Sequence, residues 1–495
     1  MLLTFVALYL LVSIGIGLMA AMRVRSSKDF AVAGRHLPLP VVTATVFATW
    51  FGAEAIFGVS ATFATEGLRG VVADPFGASM CLVLAGIFFA RYLYQMNILT
   101  LGDFFRLRYG RGVEVLTTLA IMASYLGWVS AQIKALGLII HVVSDGAVDQ
   151  DTGMIIGTLV VLTYTTLGGM MSVAILDFVQ MGVILGGLLF IAWLVSAQTG
   201  GVMPVIEHAG NAGLLDFFPP PDLAQWLTFL AAWMTMMLGS IPQQDVFQRI
   251  TSARTARIAL WASVIGASIY FTFTFVPMFI AYAATLIDPE RFNQLLETDA
   301  QLVLPSLVLS HTPLFAQAIF FGAVLSAIMA CSSATLLAPS VSFAENIVRG
   351  FFPEMSDGTF LRVMRVTIVV FAGIVLAYAL NATASIFHMV ENAYKVTLAG
   401  AFVPLIAGAM WSRATTQGAY AAIFLGIAAW LCVEFLVGDD FIIPPQLAGL
   451  GMSVVGMLAG SLLPQAVRSR SEHLARPSHH HTAGRSADAA PIHPH

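Results

Sequence analysis

Apolar residues run along this chain in blocks of about 20, the length that crosses a bilayer as a helix, separated by short polar or Gly/Pro-containing stretches. Blocks such as Met1–Met22 and Val183–Val195 lack the period-two alternation of a barrel strand. With no water in the bilayer, backbone groups must pair within each segment, so the pattern predicts an all-α polytopic membrane protein. Its spans are expected near 2–22, 40–65, 74–98, 113–141, 152–170, 174–197, 223–242, 258–286, 313–343, 364–380, 384–410, 417–437 and 446–464.

The polar loops sort by charge. Arg23, Arg25, Lys28 and Arg35 follow span 1, and Arg106, Arg108, Arg111, Arg249, Arg254, Arg257, Arg349, Arg362, Arg365, Arg413, Arg468, Arg470 and Arg476 fall on the same side. The opposite loops carry Asp145, Asp149, Asp151, Glu207, Asp216, Asp288, Glu290, Asp439 and Asp440, with Arg69 and Arg291 as basic exceptions. Basic loops stay cytoplasmic, so the N-terminus is expected outside and the C-terminus inside, in an inner-membrane protein. No basic stretch precedes span 1, which argues against a cleaved signal peptide.

Composition agrees: 58% of residues are hydrophobic and 10% charged, against roughly 25% charged in soluble domains. Cys81, Cys331 and Cys432 lie in apolar spans and imply no disulfide framework. Beyond Arg468 the chain turns polar, with His479, His480, His481, His493 and His495, and reads as a disordered cytoplasmic tail or a weak metal-binding tract.

Charged groups inside a membrane are expensive, so each is a functional-site candidate. Glu54, Asp74, Lys134, Asp177, Glu391, Lys395 and Glu434 are the candidates here. Each also has a structural reading, as a snorkelling side chain or an internal ion pair, and Glu391 and Lys395 stand at the i, i+4 spacing of a helix pair. Lys134 sits mid-span and needs a partner, with the nearby carboxylates as candidates. Gly52 and Gly58 interrupt span 2, and span 7 ends in Leu238-Gly-Ser-Ile-Pro-Gln243-Gln-Asp245. Unwound backbone at membrane depth lines cavities, and its free carbonyls coordinate cations.

Five motifs in order then carry a family resemblance: Asp29-Phe-Ala-Val-Ala-Gly-Arg35, Thr100-Leu-Gly-Asp103 through Gly110, Tyr164-Thr-Thr-Leu-Gly-Gly169 with Asp177 and Gln180, Gln244-Asp-Val-Phe-Gln248-Arg249, and Met410-Trp-Ser-Arg413 with Gly418-Ala-Tyr. Over roughly residues 25–435 the chain resembles the sodium:solute symporter family. The resemblance implies a five-plus-five inverted-repeat transporter core, with the solute held between the repeats and alternating access driven by a cation. Residues 1–37 would form the first helix and its loop, 38–197 one repeat, 222–412 the other, 413–466 the last two helices and 467–495 the tail.

The resemblance also assigns sites. Ala48 and Phe51 align with the carbonyl contributors of the family's sodium site, Ala327 with a third carbonyl, and Asp177 with a nearby carboxylate. Its two hydroxyl positions fall on Ala330 and Cys331, neither of which offers the oxygen that sodium prefers. Ser332 and Ser333 are adjacent, but one residue turns a helical side chain by about 100°. Weak sodium binding through carbonyls and Asp177, a proton on Asp177 or Glu54, Lys134 as a built-in cation, and a local misalignment all stay open.

For the solute, Trp50, Glu54, Asp74, Lys134, Gln243, Glu391 and Lys395 are the candidates. Sugar carriers of the family have polar contacts that Trp50 and Glu391 do not reproduce. Three acids, two lysines and an aromatic favour an amino acid or related zwitterion, with a monocarboxylate read by Lys134 as the alternative. The other functional class is a solute-sensing receptor of the same fold; the residues after 464 are too few for a fused kinase. Neither an enzyme nor a channel is expected, since no nucleotide-binding glycine loop, metal-ligand spacing or pore-lining ring is visible. The expected partners are the bilayer, a small solute and a coupling cation (sodium or a proton), with no cofactor and no nucleic acid.

Overall fold

The computed structural model describes residues 1–437 and 441–467. Asp439, Asp440 and the histidine tail therefore lie outside the described residues. The described residues are mostly helical, with a single isolated bridge between Leu37 and Ala253 and no strand among them.

Ten of the described helices are long and apolar enough to span a membrane, and two bent pairs bring the count to 12. The bent pairs are Leu39–Trp50 with Glu54–Gly70, at 57°, and Leu223–Gly239 with Gln244–Ser252, at 44°. Both breaks fall where glycine, proline and polar residues interrupt the apolar pattern. Span 7, the second of these pairs, goes further than the hydropathy pattern predicts: the apolar block ends at 242, yet Gln244–Ser252 continues it. Gln244, Asp245, Gln248, Arg249, Thr251 and Ser252 are all buried there. A half-helix enclosed by other helices need not be apolar, so a lipid-transfer criterion ends at its first polar residue.

Expected spans 5 and 6 are joined as Gln150–Gln198, whose 49 residues far exceed the ~20 that a bilayer core takes. Gly169 interrupts it, with φ 50° and ψ −145°. The short helix Ser27–Val32 packs there, and a side chain at position 169 would place its Cβ 2.4 Å from the Phe30 carbonyl. The sequence count of 13 depends on dividing this helix at that point.

The layering follows from which helices are apolar on one face and which all round. Leu2–Ala21 exposes Leu3, Phe5, Leu8 and Leu11, and Asp357–Asn381 exposes Val366, Val369, Val370 and Ile374. Leu314–Ser342 is instead buried at every position from Phe320 to Ser342. This central helix packs against both Gln150–Gln198 and Arg111–Val143 and faces the break of span 2.

Candidate functional site

The first break sets the geometry. Phe51 leaves the helical region at φ −85° and ψ 74°. The Gly52 N–H, which a continuous helix would give to Ala48, bonds the Trp50 carbonyl at 3.0 Å instead. This withdraws Gly52 as a partner for the Ala48 carbonyl, one of the expected cation ligands. A Cβ on Gly52 would stand 2.7 Å from Gln132 Oε1 and 2.8 Å from both Cβ and Sγ of Cys331. Three elements therefore converge on a position that only glycine leaves open.

Helix Arg111–Val143 presents Tyr125, Trp128 and Gln132 at i, i+3 and i+7, one face of a helix. Trp128 Nε1 donates to Glu54 Oε1 at 3.0 Å, and Gln132 Nε2 donates to Glu54 Oε2. Gln132 Oε1 accepts from the Ala53 N–H at 2.9 Å. Trp50 packs edge-on against Trp128, with centroids 5.6 Å apart, and stacks on Tyr394 at 6.4 Å and 8°. Trp128 meets Tyr394 at 5.7 Å and stacks on Tyr125 at 5.9 Å. The result is a buried box of four aromatic rings from three spans.

The second break closes the box from the other side. The Tyr125 hydroxyl donates to Asp245 Oδ1. Gln243 Nε2 donates to Ser124 Oγ at 2.8 Å and more distantly to Thr397 Oγ1 at 3.4 Å. Three buried polar atoms here lack a protein partner: the Tyr394 hydroxyl, Asp245 Oδ2 and Gln243 Oε1. Glu54 and Asp245 both act electrostatically on Tyr394. Two carboxylates, flat aromatic faces and unpartnered polar atoms suit a ligand with a compact positive charge, because an aromatic face carries partial negative charge.

A second polar region lies beside the central helix. Both Asp177 oxygens, both polar atoms of the Gln180 amide, the Thr165 hydroxyl, and Nε and Nη2 of Arg249 are buried without a protein partner. Arg249 is the positive charge acting on Asp177. Buried polar atoms are nearly always satisfied, so these unpartnered groups are candidates for binding an ion or water. The neighbouring serines do not turn toward Gly52. Ser332 Oγ donates to the Ile328 carbonyl at 2.6 Å and Ser333 Oγ to the Ala330 carbonyl at 3.0 Å, so both hydroxyl hydrogens are turned back onto their own helix. Ala327, Ala330 and Cys331 are wholly buried.

Among the described residues, the other expected solute residues make no hydrogen bond or ion pair with the box, although Asp74 is within electrostatic reach of Glu54. Asp74 is buried and accepts from the Tyr270 hydroxyl, whose ring packs edge-on to Phe51 at 6.1 Å. Lys134 Nζ donates to the backbone carbonyls of Ala382 at 3.3 Å and Ala384 at 2.9 Å, so its partner is not a carboxylate. Glu391 stands 3.5 Å from His388 Nδ1 at a cavity of about 480 Å³ that Glu66 and Arg69 also line. Lys395 Nζ pairs with Glu434 Oε1 at 3.5 Å, not with Glu391 one turn away.

Tyr125, Trp128, Gln132, Asp245 and Tyr394 complete the box, and none was among the expected site residues. The i, i+3, i+7 spacing of the first three is a signal present in the sequence. Tyr394 carries no charge and gives none.

Comparisons with known proteins place the chain in a family and a fold. The family profile of the sodium:solute symporter family matches residues 30–426. The high affinity choline transporter 1 of Homo sapiens is 29% identical over 410 residues, 77% of this chain and 67% of that protein. The osmoregulated proline transporter OpuE of Bacillus subtilis (strain 168) is 26% identical, over 86% of this chain and 87% of its own length. Among solved structures, a Na+-coupled sialic acid symporter in a substrate-bound outward-open state superposes with a TM-score of 0.80 at 17% identity, covering 95% of this chain and 99% of that one. At that identity the likeness establishes the fold, and the profile match establishes the kinship: the chain belongs to the sodium:solute symporter family.

Proposed function

We propose that this multi-pass membrane transporter carries a small solute bearing an ammonium group, with a quaternary ammonium compound such as choline as the first choice. The aromatic box of Trp50, Trp128, Tyr125 and Tyr394, with Glu54 and Asp245 at its walls, is the observation that carries this reading. Alkylated ammonium groups hold few or no N–H donors, so ring faces and diffuse negative charge recognise them. The choline transporters among the relatives support the same class. An amino acid such as proline is the second reading, favoured by the unpartnered Tyr394 hydroxyl and Gln243 Oε1, which suit a more polar solute. A monocarboxylate read by Lys134 loses support, because two backbone carbonyls already engage that ammonium.

For the coupling ion we propose sodium in the region of Asp177, Gln180 and Thr165, where unpartnered oxygens concentrate. A proton is the second reading, since Ala330 and Cys331 offer no hard oxygen at the aligned hydroxyl positions. The five-plus-five division into 38–197 and 222–412 fits the two breaks, each near the start of its block. Loop charges favour an inner-membrane protein with its N-terminus outside and its C-terminus in the cytoplasm.

Uptake of labelled choline and labelled proline into proteoliposomes tests these readings, under an imposed sodium gradient or an imposed proton gradient. Sodium-driven choline accumulation is the expected result. Accumulation of neither solute under either gradient would overturn the substrate class.

A further inference from the structure

Two cavities share Tyr282. One, about 610 Å³, is an apolar groove walled by Phe63, Leu189, Trp193, Ile206, Phe275 and Phe279. The other, also about 610 Å³, is lined by Gln198, Thr199, His208, Thr285 and Asn293, with no Asp, Glu, Lys or Arg among its described lining residues. His208 Nδ1 and the Tyr282 hydroxyl hydrogen-bond at 2.8 Å where the two meet. An apolar slot and an uncharged hydrogen-bonding chamber thus lie on either side of Tyr282.

The surroundings fix the level in the membrane. Helix Val202–Asn211 buries Val205 and Ala209 while leaving Val202, Met203 and Ile206 exposed, the pattern of a helix lying at an interface. Trp193 is 64% exposed, as expected of an aromatic side chain at the headgroup boundary. An open apolar groove on lipid-facing helices is filled by hydrocarbon, because water is absent there.

We propose that groove and chamber together hold one bilayer lipid. Its acyl chain lies against Trp193 and Phe279, and its uncharged glycerol-ester region hydrogen-bonds His208 and Tyr282. Under the proposed orientation this lipid belongs to the outer leaflet. Phe63, on the half-span Glu54–Gly70, lines the groove and packs edge-on against Tyr282 at 5.9 Å. The lipid therefore touches the same half-helix that carries Glu54, and the chain it offers bears on how readily that half-helix moves.

The test uses the full chain in phosphatidylcholine vesicles doped with phosphatidylcholine carrying a photoreactive diazirine in its acyl chain. Mass spectrometry then maps the adducts. Residues 189–206 and 275–282 should exceed the stretch 3–12, whose Leu3, Phe5, Leu8 and Leu11 are exposed, by at least about fivefold, near 1 kcal/mol of preference. Ala192→Trp, which fills the groove, should remove the excess. His208→Ala, at the exposed rim, should reduce it and serves if the filled variant fails to fold. Even labelling of all lipid-facing helices would overturn the proposal, as would a groove protected from labelling relative to those helices, which would make a second copy the occupant.

Discussion

Gln132 holds Glu54 and the broken backbone with the two ends of one amide: Nε2 donates to the Glu54 carboxylate while Oε1 accepts from the Ala53 N–H at 2.9 Å. One side chain on the fourth span thus keeps both the charge of the box and the geometry of the break. Gln132→Ala leaves two buried groups without partners, at ~1–3 kcal/mol each. Thermal stability should fall, and uptake should drop by roughly tenfold or more. Stability and uptake both within error of the parent would show that the amide is dispensable.

Trp50 is buried and meets two other rings of the box, Trp128 and Tyr394, and the proposed function gives its ring the role of a cation-binding face. Trp50→Ala should raise the KM for an ammonium solute by roughly 2- to 30-fold, from a cation–π contribution of ~0.5–2 kcal/mol. Trp50→Phe should retain part of the affinity. A KM that rises equally for Phe and Ala, or for neither, would take the ring face out of recognition.

Glu54→Gln separates charge from shape. Glu54 is 2% exposed and accepts two neutral donors, and an amide of the same size removes the negative charge together with one of the two acceptor oxygens, a hydrogen-bond loss common to both solutes. Uptake of choline should suffer more than uptake of zwitterionic proline, whose own carboxylate gains from the change. Measuring KM for both solutes on one variant makes the comparison internal.

The sequence revealed the parts of this fold governed by lipid. Span positions and both helix breaks were legible because transfer into hydrocarbon and Gly/Pro chemistry act locally. The polar half-helix Gln244–Ser252 was not, because its burial depends on neighbours that hydropathy does not see. The site divides in the same way. Trp50, Glu54 and Gln243 were legible as unusual residues at breaks, and all three adjoin the box. Lys134, Lys395 and Glu391 were equally unusual, yet carbonyls, Glu434 and His388 respectively engage them. Cost of burial marks a residue as special without saying which partner meets that cost. Tyr394 enters the box only through the packing of span 11, which one sequence does not encode in any local pattern.

Cys331 lies against Gly52, and both neighbouring serines are bonded to their own helix. An oxygen ligand at position 331 would therefore lie against the break, with position 330 as the second aligned position. Ala330→Ser with Cys331→Thr should lower the sodium concentration for half-maximal uptake severalfold, with little change at saturating sodium. An unchanged sodium dependence would mean that these positions do not face the coupling ion.

Lys134 gives the sharpest contrast between cost and role. Its ammonium rests on the Ala382 and Ala384 carbonyls, where Asp357–Asn381 ends and Ile386–Met410 has yet to begin. A cation at a helix C-terminus contributes ~0.3–1 kcal/mol, since the last carbonyls lack helical partners and carry partial negative charge. Lys134→Met keeps the length of the stem and removes that cap. The variant should melt slightly earlier and leave the KM for choline unchanged, because no ring or carboxylate of the box touches the side chain. If the KM for a carboxylate-bearing solute instead rose about tenfold while choline stayed constant, Lys134 would be reading the carboxylate after all.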